Sequence, residues 1–422
     1  MRKVLQTLSV ITAIAALPSA ATALDVYGYV ANLEAIQEVP PNASTAGGTG
    51  IFVIDTVADT ISFRIEFGAL SSPETGAHIH GVAGPGALGG VLFALPLGNP
   101  KVGVWNYPAA FEADILGGRM YVNIHTVVNP AGEIRGQIVT HVATLSGSQE
   151  VPANASPATG FGAFVMDPSA NTLSYYISYG GLTAAENNAH FHGMAPHGVA
   201  GGVVFALPAG SPKVGVWPYL EAQEGAILEG MTYVNIHTVA FGGGEIRGQV
   251  VNSLSSLQGL QEVPPNATVG LGIAHHSHDM LGNRLGYFLR FGGLTGAETA
   301  AHIHGFAPRG LAAGVKFPYA LGSPKNGNFV YVAADEPGIM DGQTYSNVHT
   351  AAFGGGEVRG QIEPRFSCWG DVNRDLAVDM LDVVPFVDCL LGAGGCTCAD
   401  MDFNGMVDGA DINDFILALL TT

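Results

Sequence analysis

Ile61-Ser-Phe-Arg-Ile-Glu-Phe67 alternates apolar and polar side chains with a period of two. The pattern returns as Leu173-Ser-Tyr-Tyr-Ile-Ser-Tyr179 and as Leu285-Gly-Tyr-Phe-Leu-Arg-Phe291. Successive side chains of an extended chain point to opposite faces, so each stretch reads as a strand with one face on a core. Further strands are expected at 50–55, 90–94, 120–126 and 133–139, set apart by clusters of Gly, Pro, Asn and Asp that make turns. No stretch nearby shows a helical period. Short strands broken by Gly and Pro turns predict a mainly β chain built from antiparallel sandwiches or Greek-key barrels.

Working outward, four strings recur with the same step of 112 residues. Gln-Glu-Val-Pro begins at Gln37, Gln149 and Gln261. Ala-His-(Ile/Phe)-His-Gly begins at Ala77, Ala189 and Ala301, and Asn-(Ile/Val)-His-Thr at Asn123, Asn235 and Asn347. Gly-Glu-(Ile/Val)-Arg-Gly-Gln begins at Gly132, Gly244 and Gly356. A unit this long can bury its own core, unlike a solenoid repeat of 20–50 residues. Three complete domains on a string are expected, at 24–140, 141–252 and 253–366. Before them, residues 1–23 combine Met-Arg-Lys, an apolar run and Ala21-Thr-Ala23, the pattern of a cleaved signal peptide. Export to a secreted or cell-surface location follows, and no later stretch is long enough to span a bilayer. Acidic residues outnumber basic ones by 35 to 16, a net charge of −19. That balance opposes nucleic-acid partners and anionic membranes and suits divalent cations.

The four motifs in this order, including Tyr-Val-Asn-Ile-His-Thr, resemble the CHRD domain, three times over between residues 25 and 362. The resemblance implies three tandem immunoglobulin-like or superoxide-dismutase-like β-sandwiches. It implies no particular activity.

Nine histidines sit inside the repeated motifs: His78, His80 and His125; His190, His192 and His237; His302, His304 and His349. In a strand His78 and His80 share a face, about 7 Å apart along the chain, while Ile79 faces the core. Asn123 and His125 share a face of a second strand. If the two strands are neighbours, three imidazoles converge. Three readings stand: a polar hydrogen-bonded network, a copper or zinc site with an open fourth position, and a site for a non-metal ligand. The network is the simplest of the three, and recurrence does not separate them. The His-x-His pair loosely resembles the copper-ligand strand of copper–zinc superoxide dismutases, without that family's full ligand set.

Glu133 and Arg135 lie two apart, as do Glu245/Arg247 and Glu357/Arg359. They are expected to share a strand face, with Gln137, and to form a cross-strand salt bridge that holds the sandwich. His275, His276 and His278 occur in the third repeat alone and are expected in an exposed turn.

From residue 367 the composition changes: ten Asp stand against one Arg. Asp371, Asn373, Asp375, Asp379 and Asp382 occupy positions 1, 3, 5, 9 and 12 of one loop. Asp400, Asp402, Asn404, Asp408 and Asp411 do the same in a second loop, with Gly405 at position 6. Alternating oxygen ligands at these spacings wrap a calcium ion in the EF-hand manner. Ile412, Phe415, Ile416 and Leu419 then fall on one helix face. The pair of loops resembles a dockerin, a small α-helical domain with paired calcium loops, over 367–422. It implies a cohesin-like or surface partner. Leu376 stands where loop one wants Gly, and Met380-Leu381 and Gly409-Ala410 replace the hydroxyl residues that usually meet a cohesin. The chain's four cysteines, Cys368, Cys389, Cys396 and Cys398, all lie in this tail and are expected to form disulfides there.

These features favour an exported, non-catalytic protein with three structural or binding modules and a calcium-dependent docking tail. The alternatives are copper-dependent redox chemistry at the histidines and a place in a polysaccharide-degrading assembly.

Overall fold

A computed structural model describes residues 26–364 and, in the tail, residues 370, 372, 380–391, 399, 401, 407–409, 411, 412, 415, 416 and 419. The expected signal peptide, seven of the ten calcium-loop oxygens and three of the four cysteines lie outside the described residues. No described helix is long and apolar enough to cross a membrane.

Repeat 1 has eight strands: β1 (Val26–Glu34), β2 (Gly47–Asp55), β3 (Thr60–Gly68), β4 (Glu74–Gly81), β5 (Gly90–Ala94), β6 (Lys101–Asn106), β7 (Met120–Thr126) and β8 (Ile134–Ile138). They form one antiparallel sheet in the order β5-β4-β7-β8-β1-β2-β3-β6, and repeats 2 and 3 copy it. β1 and β8 pair only narrowly, at Glu34 with Arg135 and at Val30 with Val139. The sheet folds over at this joint, and its halves close on a single core. Leu33, Phe52, Phe63 and Trp105 come from one half, and Ile79, Val122, Ile124 and Ile134 from the other. β3 keeps the alternation seen in its sequence, with Ile61, Phe63 and Ile65 turned inward.

A short helix, α1 (Glu112–Leu116), appears in each repeat where no helical period was visible, with counterparts at Glu224–Leu228 and Glu336–Met340. Five residues are too few to show a period. The helix is held from outside: Tyr29 donates its hydroxyl to Leu116 O at 2.7 Å.

The repeats are not beads on a string, because each touches both others. Val30, Val142 and Leu254 occupy the same position in the three repeats and meet in one buried cluster with Val139, Val251 and Ala163. Asn32 donates to Thr144 at 3.1 Å, and Thr49 donates to Ser256 at 3.2 Å. Asn328 donates to His197 O at 3.0 Å, and Arg309 pairs with Glu66 at 3.2 Å. The three sheets therefore close a ring around their first strands. β2 shows the consequence. Ile51, Phe52, Val53 and Ile54 are all buried, since its outer face meets the strands Ser253–Gln258 and Leu271–Asp279 of repeat 3.

His275, His276 and His278 lie in the strand Leu271–Asp279, each 1% exposed, and not in an exposed turn. His276 and His278 stand where repeat 1 has Phe52 and Ile54, so they face a core. His276 Nε2 meets Ser255 Oγ at 3.1 Å, and His278 Nε2 meets Ser253 Oγ at 3.3 Å. The serines stand where repeat 1 has Ala31 and Tyr29, so the histidines and their hydroxyl partners changed together.

Candidate metal centre

β4 and β7 are hydrogen-bonded neighbours, with His78 opposite Asn123 and His80 opposite Tyr121. Period-two geometry sends Ile79, Val122 and Ile124 into the core. The rings of His78, His80 and His125 go to the outer face, half-buried. The three rings converge, with centroids 5.5, 5.0 and 5.8 Å apart. One nitrogen from each ring lies within 4.8 Å of the other two, and the same holds for His190, His192 and His237 and for His302, His304 and His349.

Backbone carbonyls fix the tautomers. His80 Nδ1 lies 3.1 Å from Gly89 O, and His125 Nδ1 lies 3.1 Å from Pro130 O. A carbonyl only accepts, so each Nδ1 carries the proton and each Nε2 is a bare lone pair. His192 and His237 use Gly201 O and Gly242 O in this way, and His304 and His349 use Ala313 O and Gly354 O. In repeat 1 the buried His78 Nδ1, His80 Nε2 and His125 Nε2 have no hydrogen-bond partner in the protein. In repeats 2 and 3 the nitrogens close up, with His190 Nδ1 3.3 Å from His237 Nε2 and His302 Nδ1 3.1 Å from His349 Nε2. Two nitrogens bound tetrahedrally at 2.0–2.1 Å from one ion would stand about 3.3 Å apart. Burial pushes His80 and His125 below the usual imidazole range, and does the same to His190, His192, His302 and His304. For these six rings burial favours the neutral form, the one that ligates a metal. The donor set fits copper(II) or zinc.

The other motifs build the floor of this site. His80 stacks on Tyr121 at 5.0 Å, and the Arg135 guanidinium lies 3.5 Å from the same tyrosine ring's centroid. Arg135 donates to Ala87 O at 2.8 Å, Gly84 O at 3.3 Å and Gln137 Oε1 at 3.1 Å. Gln137 donates to Ala83 O and Gly118 O, both at 2.8 Å. Arg135 and Gln137 therefore fasten the loop 82–90, whose Gly89 O orients His80. Neither Glu133 nor Arg135 enters the expected cross-strand salt bridge. Glu133 precedes β8 and accepts instead from Ser44 (2.6 Å), Ser71 N (2.7 Å) and Thr126 (2.7 Å). Burial alone would raise its pKa, but these hydrogen bonds outweigh it and hold the carboxyl below the usual range.

Glu38, of the Gln-Glu-Val-Pro motif, completes the layer. Asn123 donates to it at 3.4 Å, and burial raises its pKa to about 7 against the pull of Arg135 and Asn123. Glu150 and Glu262 are likewise raised by burial to about 7. Gly132 adopts φ +138°, and a Cβ there would stand 2.4 Å from Asn123 Oδ1 and 2.7 Å from Glu38 Oε1. Glycine is required at this position on both counts. Sequence reasoning brought the histidines together but missed Tyr121, Glu38 and the clamp by Arg135. Tyr121 was readable, since Tyr121, Asn123 and His125 alternate along one strand.

In the tail, the helix Val383–Leu390 begins directly after Asp382. Asp382 and Asp411, the twelfth positions of the two loops, are both fully buried. Asp411 accepts from Met401 N at 2.6 Å and Asp408 N at 2.8 Å. Phe386 stacks on Phe415 with ring centroids 3.7 Å apart.

No individually characterised protein and no solved structure matches the chain. The CHRD domain model matches residues 29–138, 141–250 and 254–362, the span in each repeat that holds the strands and the histidine triad. The chain belongs to the CHRD domain family, with three domains in tandem.

Proposed function

We propose that this is an exported, non-catalytic binding protein whose three domains each hold one transition-metal ion on a histidine triad. The observation that carries the reading is the set of bare ring nitrogens in repeat 1. His80 and His125 have their protons committed to carbonyls, so their Nε2 atoms and His78 Nδ1 face one another with no donor between them. Buried lone pairs aimed at a common point are costly without a cation. A purely hydrogen-bonded network leaves all three unpaired. Copper(II) should outcompete zinc, following the usual affinity order. The half-buried edge of each triad leaves a coordination position toward solvent, and this favours copper redox chemistry as the second reading.

Titration of the purified chain with copper(II), followed by elemental analysis, should find three equivalents. His80→Ala, His192→Ala and His304→Ala should each remove one. A wild-type chain that retains neither copper nor zinc after desalting would end the metal reading.

The tail is proposed to fold on calcium and to dock the chain on a surface or a cohesin-like partner. The inward placement of Asp382 and Asp411 at the twelfth loop positions supports this, since the twelfth residue is the one whose carboxylate closes an EF-hand loop on its ion. Chelator should abolish the helical circular-dichroism signal of the tail and leave the β signal intact. A helical signal identical with and without calcium would count against it. Disulfides among the four tail cysteines belong to the same proposal.

A further inference from the structure

The loop that orients His80, and its counterparts that orient His192 and His304, are each held from two sides. From below, Arg135 grips Gly84 O and Ala87 O. In repeat 2, Arg247 grips Pro196 O at 3.2 Å and Val199 O at 2.9 Å; in repeat 3, Arg359 grips Pro308 O at 3.4 Å and Leu311 O at 2.8 Å. Between these anchors the loop rises to an apex, occupied by Pro85-Gly86, His197-Gly198 and Arg309-Gly310. Each apex reaches the next repeat around the ring. A Cβ on Gly86 would stand 2.6 Å from the Tyr176 hydroxyl of repeat 2. His197 N donates to Ser277 Oγ of repeat 3 at 3.2 Å, its ring Nδ1 lies 3.0 Å from the same oxygen, and Asn328 donates to His197 O at 3.0 Å. Arg309 pairs with Glu66 of repeat 1 at 3.2 Å, and with Gln261 and Glu363 of its own repeat.

We infer that each metal site is completed by the neighbouring repeat. Tyr176, Ser277 with Asn328, and Glu66 act as positioning residues that hold the loops orienting His80, His192 and His304. This rests on the metal reading of the triads. The chain of contacts is short. In repeat 2 it runs from Ser277 and Asn328 to His197, along four residues of loop to Gly201, and from Gly201 O to His192 Nδ1 at 3.0 Å. Loss of the apex contact frees Gly201 O, and with it the tautomer and ring orientation that present Nε2 to the ion. Partners that orient a ligand histidine are typically worth about 10–100-fold in metal affinity.

The test uses the full chain. Copper(II) titration of the double variant Ser277→Ala/Asn328→Ala should show two equivalents with wild-type affinity and one weakened about tenfold or more. In a His192→Ala background the same pair should change nothing further, which assigns the loss to site 2. Ser277→Thr, which keeps the hydroxyl where repeat 2 carries Val165, should bind as wild type in the Asn328-intact chain. Hydrogen exchange of the Gly201 amide, which donates to Tyr233 Oη at 2.9 Å, reads the loop without any metal. It should speed up about tenfold or more in the double variant. Three equal equivalents in the double variant, or unchanged Gly201 exchange, would overturn the inference. A wild type that binds no metal would instead remove the reading beneath it, and the exchange rate would still report on the coupling.

Discussion

Two histidine pairs of identical spacing meet opposite fates in this chain. His78 and His80 lie on β4 and turn outward, while His276 and His278 lie on the strand Leu271–Asp279 and turn into the core of repeat 3. Around the first pair, backbone carbonyls take the Nδ1 protons of His80 and of its neighbour His125, and His78 Nδ1 and the two Nε2 atoms are left bare at a half-open surface. Around the second, serine hydroxyls lie against Nε2 at 3.1 and 3.3 Å in a sealed interior. A hydroxyl can donate or accept, so it satisfies a ring nitrogen in place. A carbonyl fixes which nitrogen is bare and leaves it to find a partner elsewhere. The residue type and spacing are shared; the groups facing the ring decide between ligand and core filler.

The largest expected effect comes from acid. Burial pushes His276 down to about 3, and burial with nearby Arg290 and His276 does the same to His275. Unfolded, these rings take up protons below about pH 6.5. Folded, they do not until about pH 3, so the unfolded state binds more protons in between and stability falls as pH falls through that window. At pH 4 each ring costs on the order of 3 kcal/mol. Hydrogen exchange at pH 4 should show repeat 3 opening before repeat 1. Equal protection of the two would break the contrast.

Next in size is a pair of truncations. His276→Ala should cost about 2–4 kcal/mol in denaturant unfolding, from the cavity and the stranded Ser255 hydroxyl. His80→Ala, measured without metal, should cost less than about 1 kcal/mol, since its ring is half-buried and its Nε2 makes no bond. Equal costs would mean that the triad is core after all. A last, small effect sharpens the picture of the floor. Tyr121→Phe removes the acceptor for Gly89 N at 3.1 Å and should cost about 1 kcal/mol, with the count of copper equivalents unchanged.

Much of this was legible in the sequence. The expected strands at 90–94 and 120–126 match β5 and β7 end to end, because turn residues bound them tightly. The triad was legible because period-two geometry is local. β1 and β6 escaped notice. The ring was announced only by the run Ile51-Phe-Val-Ile54, whose four consecutive apolar residues fit a strand buried on both faces. The expected cross-strand salt bridge is absent because Glu133 lies just before β8 and turns to nearby hydroxyl and amide donors. Three serine and threonine donors, supplied by segments as distant as Ser44, reach Glu133 instead. His276 and His278 were misplaced because their serine partners lie 21 and 25 residues away, beyond any local pattern.

The ring's three junctions carry Pro85, His197 and Arg309 at one equivalent position, each followed by a glycine. Three separate copies of a single domain, related by rotation, would have to present the same residue at every junction. Threading the copies on one chain lifts that obligation. Each junction is free to drift toward its own chemistry, and a residue that suits one neighbour can never be paired with the wrong one. The tandem format thus converts a symmetric assembly into an ordered one, in which first, second and third are chemically distinct places.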